Sequence, residues 1–509
     1  MSQIKYTIAV DLGENHVIAM AGHRDESGMI QISGIARRPM QGLRAGRIEN
    51  IALINGALSG AISELESKLN IKIQLAYGGI SGEYIRCGHH SETILVEDPG
   101  SGVAKRDVVA LQNLMRQVQA PEGDTILEYN PICYMVERNK ELKNPVGSFG
   151  TSLSASYIFT LCDKESLKRL NQGFEQAGIA LKRCFANSVS TADAVLTADE
   201  KEAGVAMVDL GEGITNLAIY YRSALRYMIS IPIGGSAINN DLAQLMIHER
   251  NIEEKKRKYG SAIADKTKSG SIAVAGRTAR ENRSIPLYNV VLAIQERVKD
   301  IINFVEREIK DAGFEGRLGY GIVLTGGGSK LRDIDELFRR TMGVDVRIGI
   351  PEEEICFESR ELIASTDYST VVGILRRGIE LDEKKSGKDC AIILDSAAIA
   401  EEVAKKDKAA AKEAEKAKEA SNDTEDDEEE KELNDSKSTR KSTKRRKKVA
   451  EPDPELELMN EDEEEESDED DDNDDSTPNK EGGSMSNLFK SWGNKLNSML
   501  NSGGDTELK

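Results

Sequence analysis

Apolar runs broken by a short glycine turn open the chain, and the same pattern returns in its middle. The first copy has apolar residues from Tyr6 to Val10, the turn Asp11-Leu12-Gly13 and a second apolar run from Val17 to Ala21. The second copy reads VAMVDLGEGITNLAIYY, with strands expected at Val205–Val208 and Asn216–Tyr221. Each copy predicts a β-hairpin whose first strand ends in a carboxylate. Together they predict two related lobes that face each other across a cleft.

A third glycine-rich element follows another short apolar strand. Ile322–Leu324 precede Thr325, the glycines at 326–328 and Ser329, which we expect to be the N-cap of the next helix. Glycine amides can approach a phosphate closely, and a pair of aspartates at opposed turns could hold a hydrated Mg²⁺ between them. Any one of these turns alone is most often a plain structural corner. Their combination favours a nucleotide site.

Two segments between and after the hairpins have distinct periodicities. KRDVVALQNLMRQVQ predicts an amphipathic helix, and ILEYNPICYMVE predicts a pair of strands around Asn130-Pro131. VVLAIQERVKDIINFVEREIK predicts a long amphipathic helix in the second lobe. That helix carries a partly basic face formed by Arg297, Lys299, Arg307 and Lys310. Such a face is either simply solvated or suited to an acidic peptide.

The composition changes after residue 385. Residues 386–483 are nearly all Lys, Glu, Asp, Ala and Ser and contain no aromatic residue, which predicts a disordered charged linker. The segment SMSNLFKSWGNKLNSML at 484–500 follows, with the single Trp of the chain. At about 100° per residue its apolar side chains share an arc of about 120°. They are Met485, Leu488, Phe489, Trp492, Leu496, Met499 and Leu500, with Lys490 and Lys495 on the polar side.

This final segment predicts an amphipathic helix that lies in the surface of an anionic membrane. The alternative is that it folds back onto the globular part of the chain. The net charge of −20 disfavours nucleic acid as a partner. A basic block at 437–448 is either solvated or a patch for anionic lipid or another polyanion. The six cysteines lack metal-like spacing, which favours reduced thiols and the cytoplasm, and we expect neither a signal peptide nor a transmembrane span.

The order of these motifs resembles the actin, heat-shock chaperone and sugar kinase superfamily of ATPases. Within it, GISGEYI (79–85), NPVG (144–147), IPIGGSAINNDLA (231–243) and the spacing Glu253, Lys256, Gly260 are similar to the bacterial cell-division protein FtsA. The resemblance covers about residues 4–380. It implies a two-lobed α/β, actin-like ATPase fold with an inserted subdomain of the 1C type, followed by a disordered acidic linker and a C-terminal amphipathic helix.

The resemblance also implies domain boundaries. They are 1–82 for the first lobe (1A), 83–160 for the insert (1C), 161–235 for the second lobe (2A), 236–310 for its own insert (2B), 311–385 for the remainder of the second lobe and the return to the first, 386–483 for the linker and 484–500 for the membrane-targeting helix.

The resemblance implies ATP and Mg²⁺ as ligands. Asp11 and Asp209 would hold Mg²⁺ through water and position the attacking water, and Glu253 and Lys256 would flank the ribose or adenine. The remaining nucleotide-binding residues would be Gly13, Gly211, Gly213, Thr215, Gly234, Gly235, Gly326, Gly327, Gly328 and Ser329. The chain departs from the family pattern at Glu14 and Asn15, which stand where a Thr or Ser is usual, and at Ile214, where a Thr is common.

The function implied is that of a peripheral protein on the cytoplasmic face of the inner membrane at the division site. It would bind ATP, with at most slow hydrolysis, polymerise with itself as an actin-like filament, bind anionic lipid and tether the FtsZ ring. The C-terminal peptide of FtsZ would bind the second-lobe insert near Arg297, Lys299, Arg307 and Lys310, and later division proteins would bind 1C. Three alternatives within the superfamily are a sugar or acetate kinase, a chaperone-like ATPase and a pilus-assembly adaptor of the PilM kind.

Overall fold

The structure, a computed structural model, describes residues 5–137, 141–267, 269–274, 283–351 and 354–384. Its strands are β1 (Thr7–Leu12), β2 (His16–Arg24), β3 (Ile30–Pro39), β4 (Leu43–Arg44), β5 (Arg47–Ile48), β6 (Leu75–Ile80), β7 (Ile85–Leu95), β8 (Asp124–Val136), β9 (Ser152–Asp163), β10 (Ala180–Ala186), β11 (Val205–Leu210), β12 (Thr215–Tyr221), β13 (Ala224–Ile231), β14 (Ser271–Val274), β15 (Arg283–Pro286), β16 (Ile322–Thr325) and β17 (Val346–Ile348). Its α-helices are α1 (Ile51–Leu69), α2 (Lys105–Arg116), α3 (Lys164–Gln176), α4 (Asn187–Val195), α5 (Ala198–Ala203), α6 (Gly235–Gln244), α7 (Glu249–Tyr259), α8 (Leu287–Asp311), α9 (Ile334–Met342), α10 (Phe357–Arg360) and α11 (Ser369–Lys384).

The first lobe is built on a sheet with the strand order β10-β6-β1-β2-β3. The hairpin of β1 and β2 is antiparallel, whereas β1 runs parallel to β6. Helix α1 covers this sheet. The helix begins after Asn50, whose side chain accepts hydrogen bonds from two backbone amides, and it ends at Asn70, which has a left-handed backbone. Its buried residues, which include Ile54, Leu58 and Leu65, join the core of this lobe.

The second lobe repeats this plan in the sheet order β17-β16-β11-β12-β13. Strands β11 and β12 form an antiparallel hairpin, and β16 pairs with β11 in parallel. Helix α8 has a buried face that includes Ile294, Ile301 and Val305 and belongs to the core under this sheet. Both predicted strand–glycine–strand hairpins are therefore confirmed, each as the start of its own sheet.

The insert follows the first lobe and extends the second sheet through β7, β9 and β8. Helix α2, predicted from its periodicity, packs Leu111 and Met115 into the core of the insert. The expected pair of strands around Asn130-Pro131 is wrong, because β8 is one strand that passes through both residues. Its pairing with β9 shifts register between Pro131 and Cys133, and β8 is the last strand of the sheet order, where a proline removes no ladder hydrogen bond.

The chain returns to the first lobe in α11, which packs on β1 and α4. Near its end, Asp382 accepts hydrogen bonds from the hydroxyls of Thr7 at 3.0 Å and Tyr77 at 2.8 Å. The architecture is the predicted two-lobed, actin-like α/β fold with an insert. In the part of the chain that the structure describes, no helix is both long and apolar enough to cross a membrane. The linker at 386–483 and the segment 484–500 lie outside the described residues.

Candidate functional site

The turn of the first hairpin places a carboxylate at the end of β1. Gly13 donates its amide to the His16 carbonyl at 3.0 Å and closes the turn. Asp11 accepts a hydrogen bond from the side-chain amide of Asn187, at the start of α4, at 3.4 Å. Desolvation in the cleft, followed by the charge of Asp209, raises the pKa of Asp11 to about 7. Asp11 thus faces the second lobe, as the sequence predicted.

The turn of the second hairpin is more deeply enclosed. Asp209 is 7% exposed and accepts a hydrogen bond from the side-chain amide of Asn216 at 3.1 Å. Two hydroxyls, from Ser81 and Ser230, donate to the other end of that amide, each at 2.7 Å. Burial raises the pKa of Asp209, against the effect of the Asn216 hydrogen bond. Ser81 belongs to the GISGEYI segment, so this network joins the segment between β6 and β7 to the second turn.

Thr215 does not offer its hydroxyl to a ligand. The residue is fully buried, and its hydroxyl donates to the Ile233 carbonyl at 2.7 Å. Ile214 before it is also buried. The structure therefore leaves this turn with backbone groups and Glu212 as its polar atoms, and the hydroxyl expected from Thr215 is a structural contact.

The glycines after β16 pass directly beneath the second turn. Gly326 has φ +81°, and a Cβ added to it would overlap the carboxylate of Asp209 and lie 2.7 Å from the Leu210 carbonyl. A Cβ at Gly328 would lie 2.9 Å from the Cβ of Leu210. Glycine is required at 326 by both its left-handed backbone and this close approach.

Ser329 was expected to cap the helix that follows, and this expectation is wrong. Gly327–Lys330 form a 3-10 turn, and the Ser329 hydroxyl donates to the Gly326 carbonyl at 2.7 Å. The residue before α9 is Asp333, which makes no capping bond with its side chain. The Ser329 hydroxyl therefore stabilises the tight turn of the glycine run and does not cap the helix that follows.

Gly234 and Gly235 hold α6 against the second turn. Gly235 donates its amide to the Gly211 carbonyl at 3.0 Å, and Ser236 donates to the Glu212 carbonyl at 2.7 Å. A Cβ at Gly234 would lie 2.6 Å from both of these carbonyl oxygens. These two glycines therefore position the turn of Gly211 and Gly213 by backbone contact, because two of the first amides of the helix are used within the protein.

A polar chain extends from the second turn to α7. Asn239, one turn into α6, donates to Glu212 and to Glu253, each at 3.0 Å, and accepts from Lys256 at 2.8 Å. Lys256 also forms an ion pair with Glu253. The i,i+3 relation predicted for these two residues is present, and Asn239 connects them to the second turn.

Acidic side chains from both turns converge between the lobes. Desolvation is the largest cause of a raised pKa at Asp11, Asp209, Glu14 and Glu212 alike. The charge of Asp209 also raises the pKa of Asp11, and the charge of Glu212 also raises the pKa of Glu14. Carboxylates crowded in this way suit a divalent cation, and those of Glu14 and Asp209 lie directly against the backbones of Gly213 and Gly326.

Three asparagines complete the cleft without having been predicted as site residues. Asn216 follows the second glycine turn and Asn239 lies in the IPIGGSAINNDLA segment, so their positions next to these motifs could have identified them. Asn187 lies in a buried helix remote in sequence from Asp11, and no local signal marks it.

The basic face predicted on α8 is not present as such. Arg297 is 5% exposed and forms a buried ion pair with Asp241 of α6, so it cannot face an incoming peptide. The other three bases are each paired with an acid: Lys299 with Glu296, Arg307 with Asp311 and Lys310 with Glu306 and Glu315. The helix face is one of mixed charge because acids alternate with these bases along α8.

Comparison with known families finds two matches along the chain. The family described as cell division protein FtsA matches residues 206–373, which contain the second turn, α6, α7 and the glycine run. The family described as SHS2 domain inserted in FTSA matches residues 82–160, the region of β7, α2, β8 and β9. The two matched regions thus carry one half of the cleft and the insert.

Relatives agree with this assignment over most of the described chain. A protein of Pseudomonas aeruginosa described as cell division protein FtsA is 28% identical over 378 residues, which are 74% of this chain and 90% of the relative. The protein of the same description from Escherichia coli strain K12 is 27% identical over 391 residues, 74% of this chain and 91% of the relative. Among solved structures, the PilM-PilN type IV pilus biogenesis complex has a chain 15% identical with a TM-score of 0.52, covering 73% of this chain and 98% of that one. This last likeness shows the shared fold.

Proposed function

Because the chain belongs to the FtsA family of cell-division proteins, we propose that it binds ATP with Mg²⁺ between its lobes, polymerises as an actin-like filament and tethers the FtsZ ring to the cytoplasmic face of the inner membrane. The observation that carries this proposal is the pairing of Asp11 and Asp209 across a cleft floored by Gly326–Gly328. The PilM likeness concerns the fold alone, so it gives no comparable support to a pilus adaptor.

The residues present fit a nucleotide bound with a divalent cation. Asp11 and Asp209 would hold the cation through water, and when bound it would supply positive charge against the phosphates. The backbone of Gly13, Gly211 and Gly213 would face the phosphates, with Gly326–Gly328 beneath them. Electrostatics supports the same proposal, since these crowded carboxylates are most readily ionised when a cation is shared between them.

The sugar and base would lie toward α7. The charge of Lys256 lowers the pKa of Glu212 against the effect of burial. Glu253 and Lys256 are held by Asn239, so they are already ordered for a ligand's hydroxyls. Of the other residues predicted from the sequence, Gly234, Gly235, Thr215 and Ser329 would act by shaping the turns.

ATP would act mainly as an assembly ligand. A nucleotide that touches both lobes stabilises their closed arrangement and so biases the equilibrium toward the form that polymerises. We propose that any turnover of the bound ATP is slow. Asp11 and Asp209 would then position the attacking water.

Attachment to the membrane would come from residues 484–500, through the apolar side chains from Met485 to Leu500 with Lys490 and Lys495 toward the lipid headgroups. A single short helix gives reversible binding, which polymerisation would strengthen by multivalency. The C-terminal peptide of FtsZ would bind the second-lobe insert, near Lys299, Arg307 and Lys310. Later division proteins would bind the insert in the first lobe.

One reconstitution tests the whole proposal. The full-length protein, ATP, Mg²⁺, liposomes containing anionic lipid and an FtsZ C-terminal peptide are combined and imaged by electron microscopy. Membrane-attached filaments that recruit the peptide are expected. A variant ending at residue 483 is the matched control and should leave the liposomes bare. Full sedimentation of that truncated variant with liposomes would refute the tether, and failure to form any filament with ATP would refute the assembly role.

A further inference from the structure

The two phosphate-facing turns share a second acidic position that family resemblance does not account for. Asp11-Leu12-Gly13-Glu14 and Asp209-Leu210-Gly211-Glu212 place a glutamate three residues after each aspartate. Each glutamate reaches toward the other turn. A Cβ added at Gly213 would overlap both carboxylate oxygens of Glu14, so this carboxylate lies against the Gly213 backbone. Glu212 in turn accepts a hydrogen bond from Asn15.

Glu14 is seated in a small anion-binding nest. The tight turn between β4 and β5 has two successive left-handed residues, Ala45 with φ 45° and Gly46 with φ 75°. Gly46 donates its amide to Glu14 Oε1 at 3.3 Å, and the Ala45 amide donates as well. Consecutive amides turned in this way form a concavity that suits an anion. Here the anion is a side chain of the protein itself, with Arg44 adding positive charge nearby.

The same turn also contacts the second lobe. A Cβ added at Gly46 would lie 2.7 Å from the terminal methyl group of Ile214. Ile214 and Glu14 are two of the three positions, with Asn15, where this chain departs from the hydroxyl residues usual in the family. Ile214 packs against the nest and Glu14 occupies it. Both residues therefore belong to one local arrangement beside the space between Gly13 and Gly213.

We propose that Glu14 is an internal anion that occupies the phosphate-binding interval and that a nucleotide must displace, which makes Glu14 the residue that limits nucleotide affinity. This inference rests on the proposed ATP site. Phosphate groups and the Glu14 carboxylate are both anions, and both suit the interval bordered by Gly213. Their mutual repulsion is relieved when the carboxylate leaves the nest or when Mg²⁺ stands between them.

Equilibrium dialysis of labelled ATP against the full-length protein tests the inference. Glu14→Gln keeps the shape of the side chain and removes its charge, and Glu14→Thr replaces it with a hydroxyl residue. At an effective dielectric of about 20, the repulsion between two unit charges about 5 Å apart would weaken binding by more than about 100-fold. Screening by salt reduces this figure. Both variants should therefore bind ATP at least about tenfold more tightly than the unsubstituted chain.

A second readout is the dependence on Mg²⁺. Chelation of Mg²⁺ should weaken ATP binding to the unsubstituted chain more than binding to Glu14→Gln, because the variant has less negative charge to screen. Glu26→Gln is the matched control, because it makes the same change in net charge in the turn after β2. The nine residues of β2, at about 3.3 Å each, put that turn roughly 30 Å from Glu14. Its affinity should stay within about twofold of the unsubstituted chain.

The outcomes separate the two proposals. Tighter binding by both Glu14 variants, with thermal midpoints that show intact folds, supports the inference. If the unsubstituted chain binds ATP and Glu14→Gln and Glu14→Thr bind equally or more weakly, Glu14 is not a competitor and the ATP site still stands. If neither the unsubstituted chain nor any folded variant binds ATP, the proposed nucleotide function fails and the inference fails with it.

Discussion

Arg297 of α8 and Asp241 of α6 form a buried, two-pronged ion pair, with Nε donating at 2.7 Å and Nη2 at 3.0 Å to the two carboxylate oxygens. Asp241 belongs to the IPIGGSAINNDLA segment that carries the family resemblance, and the same helix begins at Gly235 against the second turn. The pair therefore connects the long helix α8 to α6, the helix that contacts the second turn. Burial raises the pKa of Asp241 even with Arg297 beside it.

Breaking this pair should cost much more stability than removing an exposed charge of the same helix. Arg297→Ala leaves Asp241 buried and unpaired, so we expect a loss of about 3–5 kcal/mol in the free energy of unfolding. Arg307→Ala, which removes an exposed charge paired with Asp311, should change it by about 0.5 kcal/mol or less. Chemical denaturation followed by circular dichroism measures both. Equal stability of the two variants would show that the pair has no structural role.

The contribution of the cleft carboxylates to the stability of the nucleotide-free protein should fall as pH rises from about 4 to about 7. The raised pKa of Asp11, about 7, means that the folded state binds its proton more tightly than the unfolded state, whose ordinary value is 3.8. Stability linked to this proton is complete below pH 4 and is lost by pH 7. Asp209, Glu14 and Glu212 have pKa values raised in the same direction.

Asp11→Asn isolates the contribution of that residue. At pH 8 the variant should melt several degrees above the unsubstituted protein, whereas at pH 4 the two midpoints should nearly coincide. Glu26→Gln, far from the cleft, should show no such pH-dependent difference. Differential scanning calorimetry across this range is the measurement. A constant offset between Asp11→Asn and the unsubstituted protein at all pH values would contradict the assignment of a raised pKa.

Gly326 and Gly343 offer a matched pair for testing the floor of the cleft. Both have left-handed backbones, with φ +81° and +67°, but a Cβ at Gly343 has nothing within 4 Å and one at Gly326 overlaps Asp209. Gly343→Ala should cost about 1 kcal/mol from backbone strain alone. Gly326→Ala should cost more and should abolish ATP binding, because the added methyl group displaces Asp209. Similar losses of stability, with ATP binding retained in both, would separate Gly326 from the site.

The single tryptophan reports on membrane attachment. Trp492 stands on the predicted apolar face of 484–500, so its fluorescence should shift to shorter wavelength and intensify when vesicles with anionic lipid are added to the full-length protein. Leu488→Glu, on the same face, should reduce that change strongly. Ser491→Glu adds the same charge next to Trp492 and off the apolar face, so it should weaken the change much less. An emission spectrum unaffected by vesicles would contradict the membrane role of this segment.

The sequence predicted what local patterns determine, and it was wrong where distant parts of the chain meet. Asp11 and Asp209 could be found because each ends a strand before a glycine turn, and both lie in the cleft. Ser329 follows its glycines as an N-cap would, but the tightness of the 3-10 turn recruits its hydroxyl inward. Arg297 was placed on an outer helix face because periodicity does not reveal that α6 covers it.

Isothermal titration calorimetry of Mg²⁺-ATP into the full-length protein tests the central claim most directly. The account predicts saturable binding of one ATP per chain, weakened roughly 10- to 100-fold by Asp209→Asn, which removes a carboxylate that would hold the cation through water. Asp199→Asn, at an exposed position of α5, is the control and should bind normally. Absence of any saturable heat up to millimolar ATP, or equal binding by Asp209→Asn, would contradict a nucleotide held between the two carboxylate-tipped turns.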